Sequence, residues 1–480
     1  MSVDGREPDS GRAPAAGFVN PVIANPLIAN SLWFAWCLPE ALAFRRACHR
    51  VAGTQWRVLR EILKRSREYA DIQSIAEFQE RVPLSDAPLE TTDPVLRRMP
   101  TSGTTAATKW IPYTAALQRE FQRGIAPWIV DLLQHNPAML GGRSYWAISP
   151  AGQTGDEFAD DTEYLGSARR LVASTLAVPA SVRHIANIEE WRRATLRHLV
   201  ACRDLTFISV WNPTFLMLLV EPLRREDLPE LWPNLRVISC WADAEAAQPA
   251  AQLARLFPQA RIQPKGLIAT EGFVSLPLWD RDGAALAVRS HFFEFLDKNS
   301  RPQLAHELIE GDEYSVVLTT GGGLHRYRLR DCVRVTGFVE ECPLLRFVGK
   351  EDNVSDRFGE KVNEAHVRAA LEGANADFLL VACEDHAYTL YVEAAGKSDA
   401  ELTALGRKLE AALQENVHYR YCRDLGQLAP VRVFRIAGGG LIRYVAERHA
   451  RGQRLGNVKA TLLRRDSGWA EVFEGGVVTA

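Results

Sequence analysis

The chain has 480 residues, 47% apolar and 24% charged, with a formal net charge of −2 and a pI near 6.6. That length suits roughly two to four domains, the apolar share excludes wholesale disorder, and the balanced charge offers nucleic acid or an anionic membrane no long-range attraction. The eight cysteines form no C-x-x-C and no His pair sits at zinc spacing, so buried, reduced thiols of a cytoplasmic protein are expected.

Residues 1–17 are polar and rich in Gly and Pro. They read as a flexible tail, because a signal peptide needs a basic start followed by an apolar run. Residues 18–48 are apolar and include Leu32-Trp33-Phe34-Ala35-Trp36, but Asn20, Pro21, Asn25, Pro26, Asn30, Pro39 and Glu40 interrupt them. No run reaches the ~18 apolar residues of a membrane span, and a segment packing on the protein is predicted instead.

Helical periodicity predicts helices over 40–66, 112–136 and 189–202. Asp204–Trp211 and Leu235–Trp241 read as buried strands, with helices over 214–224 and 248–257 and a further extended piece from Arg261-Ile262. Alternating helix and strand predicts an α/β domain with a mostly parallel sheet. From about 285 the texture changes. Strands at 292–296, 314–320 and 333–338 lack long helices between them, which predicts an antiparallel part of the same domain. A boundary is expected near 349–353. Beyond it a helix over 363–372, strands over 378–383 and 387–393, a helix over 402–414 and a strand over 430–436 predict a small α+β domain. The expected division is 1–17 tail, 18–349 large domain and 350–480 small domain.

The stretch Thr101-Ser102-Gly103-Thr104-Thr105-Ala106-Ala107-Thr108-Lys109 holds five hydroxyls, a glycine and a lysine in nine residues. Hydroxyls and backbone N–H groups donate to phosphate oxygens, glycine allows close backbone approach, and lysine neutralises charge. It is not a Walker loop, which would need Gly at 108 and Ser or Thr at 110. Alone it reads equally well as a helix-capping turn.

Four further stretches follow in order. In Gly266–Gly272 an apolar strand runs into Thr270-Glu271-Gly272, and a carboxylate there suits Mg²⁺ shared with phosphates. Gly323–Asp331 packs three arginines and His325 onto a strand expected to end at Asp331, where a carboxylate can take both hydroxyls of a ribose. Phe347–Glu364, with Lys350, reads as a linker. Gly452–Lys459 is a loop ending in a lysine.

Taken together and in this order, these stretches resemble the adenylate-forming superfamily of acyl-CoA ligases, peptide-synthetase adenylation domains and luciferases. The chain is more closely similar to one branch, the auxin-responsive acyl-acid amido synthetases (the Gretchen Hagen family) and their bacterial homologues. Val210-Trp211-Asn212-Pro213-Thr214-Phe215, Thr319–Arg328, Val335–Phe338, Phe347-Val348-Gly349, Phe358–Glu364 and Tyr421–Leu428 carry that likeness. It runs from about residue 30 to about 465.

The resemblance implies a large multi-sheet α/β N-terminal domain and a small mobile α+β C-terminal domain. It implies ATP and Mg²⁺, a carboxylic acid and an amino acid as substrates, and a cytoplasmic monomer with no nucleic-acid or membrane partner. The implied reaction activates the acid as an acyl-adenylate and passes it to the amine, yielding an amide, AMP and pyrophosphate. A thiol acceptor, or a binding protein without turnover, are the alternatives.

By the same resemblance Ser102, Gly103, Thr104 and Thr105 hold the β,γ-phosphates, Thr270 lies beside the α-phosphate and Glu271 holds Mg²⁺. Asp331 binds the ribose, Trp241-Ala242-Asp243 flank the adenine, and Lys350 sits at the hinge. Lys459 reaches the α-phosphate and carboxylate. Trp128, Tyr145 and Phe215, with Trp146 and Met217 nearby, are expected to line an apolar acyl pocket. The chain departs from the family pattern in three places: Ala106-Ala107 in the phosphate loop, Arg330 where glycine is usual, and His325 where an aromatic is usual.

Overall fold

The computed structural model describes residues 25–87, 93–100, 110–148, 169–351, 354–355, 357–451, 453 and 458–478. A four-stranded parallel sheet runs in the order Arg143–Trp146, Leu205–Ser209, Val237–Cys240, Arg261–Pro264. The helices Ile188–Ala201, Pro213–Val220 and Ala247–Leu256 cross between its strands. Local chemistry starts two of them. The Asn187 side chain accepts from Glu190 N and the Asn212 side chain from Thr214 N, each supplying a helix N-cap.

The second sheet is antiparallel and seven-stranded. Its order is Pro302–Leu304, Phe292–Leu296, Glu313–Thr319, Tyr327–Val339, Cys342–Lys350, Ala284–Leu286, Ser275–Pro277. One core joins this sheet to the helix Ala115–His135, with Phe121, Trp128, Phe293, Val316 and Val333 packed together. The parallel sheet shares that core on one face and packs a second on the other, around Tyr145, Ile208, Phe215 and Ile238.

The C-terminal part is a five-stranded mixed sheet, ordered Leu463–Arg464, Phe378–Glu384, Ala387–Glu393, Ala429–Ile436, Gly475–Val477. The helices Glu364–Ala370 and Asp399–Glu415 pack into one core on it, and Gly440–Ala450 into another. Asp399–Glu415 begins with a full capping box between Ser398 and Glu401. The C-terminal part meets the rest of the chain where Asn212 Nδ2 donates to the Val458 carbonyl, Gln248 Nε2 donates to the Ala376 carbonyl, and Leu218 packs beside Phe378 and Tyr444.

Several elements differ from expectation in detail. The predicted 40–66 helix is two helices, Pro26–Cys48 and Val51–Leu63. The first opens with Pro26 behind an Asn25 cap, both of which the sequence reading took as interruptions. By length and composition Pro26–Cys48 is apolar enough to cross a membrane. In this structure Ala29, Trp33, Cys37, Ala41 and Phe44, spaced three or four apart, are buried, and Trp33, Cys37, Ala41 and Phe44 lie in the core shared with Ala115–His135. The 112–136 helix begins at Ala115, because 110–114 form a strand and Thr114 caps the helix by accepting from Leu117 N.

Candidate functional site

The 101–109 stretch, with the expected phosphate ligands Ser102, Gly103, Thr104 and Thr105, lies outside the described residues. The strands on either side of it, Val95–Pro100 and Trp110–Thr114, pair antiparallel with Pro100 opposite Trp110. Both ends of the stretch therefore leave from one place, just ahead of the Ala115–His135 helix.

Thr270 and Glu271 form the tip of a tight hairpin between Ile268–Ala269 and Gly272–Phe273, with Ala269 opposite Gly272. A buried polar chain holds this hairpin. Phe273 N donates to His291 Nε2 at 2.9 Å, and His291 Nδ1 lies 2.9 Å from Glu120 Oε2. Since Nε2 accepts, the ring proton sits on Nδ1 and points at the carboxylate. Glu120 also receives Gly321 N at 2.9 and 3.1 Å, and Thr114 Oγ1 donates to the Gly321 carbonyl at 3.1 Å. One Glu–His pair thus locks the Glu271 turn and the 321–323 glycines onto the helix that follows the hydroxyl-rich stretch. Gly272 permits this, because a Cβ there would stand 3.0 Å from His291 Nε2.

Asp331 is not at a strand end. The strand continues from Tyr327 to Val339, and Asp331 sits on an irregularity where its pairing with Glu313–Thr319 shifts. The physical reason is the backbone of Arg330, held at φ 60. That left-handed conformation suits glycine, the residue that the resemblance leads one to expect there. Arg330 makes a two-pronged pair with Asp86, at 3.0 Å for both Nε–Oδ1 and Nη2–Oδ2. Asp331, 4% exposed, lies across the neighbouring strand from Lys350 and pairs with it at 2.8 Å. Tyr327 connects this corner to the hairpin. Burial pushes its phenol well above the usual range, and the nearby carboxylates of Glu271, Asp86 and Asp331 push it further, against the opposing charge of Arg330.

Trp211 and Trp241 follow the second and third parallel strands, and their rings lie 5.8 Å apart. The Lys459 ammonium stands 4.8 Å over Trp241, and Tyr444 Oη donates to the Lys459 carbonyl at 2.8 Å. The adjoining Val458 carbonyl accepts from Asn212. Ala242 is half-buried beside them. Asp243 receives Phe347 N at 3.3 Å, and burial raises its carboxyl to about 6. The structure therefore brings together Thr270, Glu271, Asp331 and Lys350 in one neighbourhood, and Ala242, Asp243 and Lys459 in another, both at the carboxyl side of the parallel sheet.

The expected acyl-pocket residues do not converge. Tyr145 and Trp146 are neighbours in one strand and so face opposite sides of the sheet. Trp128 packs with Trp146 and Phe207 on one face, while Tyr145 and Phe215 pack on the other. Only Trp128 among the three shares the side that carries Lys265 and Trp211. Sequence reasoning missed Glu120, His291 and Lys265. The signal for Lys265 was the run Gln263-Pro264-Lys265, polar where a buried parallel strand should be apolar.

Comparison with known proteins follows the same outline. Models described as the GH3 family N-terminal, central and C-terminal domains match residues 41–227, 284–350 and 361–467. An indole-3-acetic acid-amido synthetase GH3.3 of Arabidopsis thaliana is 37% identical over 90 residues, 18% of this chain and 15% of that protein. A GH3 domain-containing protein of Homo sapiens is 29% identical over 239 residues, 44% of each. The matched stretches thus span less than half the length of these curated relatives. The solved GH3.15 acyl acid amido synthetase shares the fold at a TM-score of 0.77, with 17% identity over 92% of this chain and 96% of that one. A 2-hydroxyisobutyryl-CoA ligase in its postadenylation state aligns at a TM-score of 0.51, with 15% identity over 90% of this chain and 89% of that one.

Proposed function

The chain belongs to the GH3 family, and on that premise we propose that it activates a carboxylic acid with ATP as an acyl-adenylate and transfers the acyl group to an amino acid, giving an amide, AMP and pyrophosphate. The observation that carries this reading is Lys459 of the C-terminal part standing over Trp241 of the N-terminal part, with Glu271 and Asp331 gathered around Tyr327 nearby.

A carboxylate is a poor electrophile because its leaving group would be oxide. Attack of its oxygen on the α-phosphorus forms a mixed anhydride and expels pyrophosphate, and negative charge builds on the phosphoryl oxygens. A cation fixed beside those oxygens lowers the barrier without any reorganisation at the moment of reaction, and Lys459 is the residue assigned that task. Asp331 accepts the ribose hydroxyls, with Lys350 steadying its carboxylate. Ser102, Gly103, Thr104 and Thr105 cradle the β,γ-phosphates, Thr270 stands beside the α-phosphate, and Ala242 borders the base. Asp243 cannot rotate freely, being held by Phe347 N and facing Arg346 at 4.0 Å.

The residues fit Mg²⁺. Among the described residues no cluster of three or more His, Cys, Asp or Glu could hold a metal, while Glu271 offers a single carboxylate at a hairpin tip. Magnesium is commonly bound by one or two carboxylates plus substrate phosphates and water. When bound at Glu271 it supplies charge neutralisation to the leaving pyrophosphate.

After adenylation the part from 350 to 480 rotates against 18–349, withdraws Lys459 and admits the amine, whose lone pair attacks the acyl carbon and expels AMP. None of the eight cysteines is in a disulfide, which supports a cytoplasmic setting, and we read the protein as a monomer. The test is carboxylate-dependent exchange of labelled pyrophosphate into ATP across a panel of acids, followed by addition of amino acids or coenzyme A. Exchange followed by amide formation is expected. ATP binding without exchange for any acid, or thioester as the sole product, overturns the proposal.

A further inference from the structure

One row across the parallel sheet breaks the apolar rule. Trp146, Ser209, Ser239 and Gln263 stand side by side in register near the carboxyl edge. Strands of a parallel sheet covered on both faces are ordinarily apolar throughout. Here Ser209 and Ser239 are fully buried and Gln263 is 4% exposed. Lys265, two residues past Gln263 and itself buried, donates from Nζ to Ser209 Oγ at 2.7 Å. Its ammonium lies 5.2 Å from the Trp128 ring and 4.8 Å from the Trp211 ring. The Trp128 indole donates to Gln263 Oε1 at 2.9 Å. Two polar atoms of the layer, Ser239 Oγ and Gln263 Nε2, are buried with no hydrogen-bond partner among the described residues.

Buried donors left unspent, beside a buried ammonium, are costly unless something completes them. They lie at the carboxyl end of a parallel sheet, where open α/β sheets bind their ligands. The layout of charge is also specific. Lys459 stands over Trp241, Trp241 lies beside Trp211, and Lys265 lies over Trp211. Two cations thus flank one tryptophan pair, an arrangement that matches a molecule with an anion at each end.

We propose that Lys265, Ser239 and Gln263 form a specificity subsite for a second carboxylate on the acid substrate, so that the substrate class is a dicarboxylic acid. One carboxylate is activated beside Lys459. The other is held by the Lys265 ammonium, the Ser239 hydroxyl and the Gln263 amide, with Trp128 and Trp211 packing the skeleton between. This rests on the adenylation reading above.

The test compares terephthalate with benzoate, and adipate with hexanoate, in pyrophosphate exchange by the wild type, Lys265→Met and Ser239→Ala. For the wild type, kcat/KM is expected to favour each diacid over its monoacid by about tenfold or more, and Lys265→Met should lower only the diacid value, by about 100-fold, as loss of a charge-assisted contact does. Ser239→Ala, a smaller cut that spares the fold, should lower the diacid value by about tenfold. Preference for the monoacids, or equal losses for both acids, overturns the proposal. Calorimetric titration of terephthalate and benzoate without ATP separates the two readings. If no acid supports exchange, the adenylation reading falls. Terephthalate binding that Lys265→Met abolishes still supports the subsite, and equal binding of both acids to the wild type overturns it.

Discussion

Replacing Glu120 with alanine should unfasten the centre of the N-terminal part. The Glu120 carboxylate accepts hydrogen bonds from His291 Nδ1–H at 2.9 Å and from Gly321 N–H at 2.9 and 3.1 Å. The His291 side chain is 0% exposed and that of Glu120 9%, so the lost acceptor leaves both donors inside the protein. Each buried donor left without a partner costs about 1–3 kcal/mol, so the two orphaned donors together give a loss of about 2–6 kcal/mol, a large share of the 5–15 kcal/mol typical of a folded domain. Gly321→Ala attacks the same lock from the other side, because its Cβ would stand 2.5 Å from Glu120 Oε1. Urea unfolding followed by tryptophan fluorescence measures both. The Glu271 hairpin hangs from His291, so the KM for MgATP should rise in Glu120→Gln, the milder change. A stability loss below about 1 kcal/mol for Glu120→Ala would show that the Glu–His pair is not what holds these elements, and would refute the reasoning.

Lys459→Ala should reduce pyrophosphate exchange by about 10²–10³-fold, the usual effect of removing one charge-stabilising donor, while amide formation from supplied acyl-adenylate persists; full exchange would remove Lys459 from the adenylation step. Asp331→Asn should raise the KM for ATP about tenfold, the worth of one hydrogen bond to a charged group, and the penalty for 2′-deoxy-ATP should shrink in the variant. His325 carries a pH signature, since burial lowers its imidazole from 6.5 to about 4. The unfolded chain takes up that proton first as pH falls below 6.5, so stability is fully present above 6.5 and is lost towards pH 4, by about 3 kcal/mol over the interval. His325→Phe should flatten that part of the stability–pH curve, and urea midpoints that track the wild type at every pH would contradict it. Asp243 has the opposite sign. Its raised carboxyl, near 6, binds a proton that the unfolded chain has already released, so stability falls as pH rises from about 4 to 6. Asp243→Asn should gain about 2–3 kcal/mol on the wild type across that window, read as the difference in urea midpoints at its two ends.

The order of elements was legible in the sequence because the forces that set it are local. Buried runs such as Thr206-Phe207-Ile208 and Val237-Ile238-Ser239 become parallel strands between amphipathic helices, and Asn187, Asn212 and Ser398 cap helices through contacts two or three residues away. The loss of helices after 285 announced the antiparallel sheet. Motif order placed Glu271 on its turn and Lys459 in the C-terminal part. Asp331 was misplaced as a strand end, because nothing in Arg330-Asp331 announces that Arg330 adopts a left-handed backbone and bulges the strand.

What the sequence determined by itself is the α/β texture, the sequence of motifs and their residue types, all of which depend on neighbours a few positions away. What only the tertiary structure decided is which of those residues meet. Glu120 finds His291 across 171 positions and Gly321 across 201. Tyr145 and Trp128 part to opposite faces of a sheet, and Lys265 gathers Ser209 and two indoles into one polar layer. Such meetings follow from how strands register and faces pack, and burial gives them their strength. A carboxylate and an imidazole that water would keep apart become a lock once the core has closed around them.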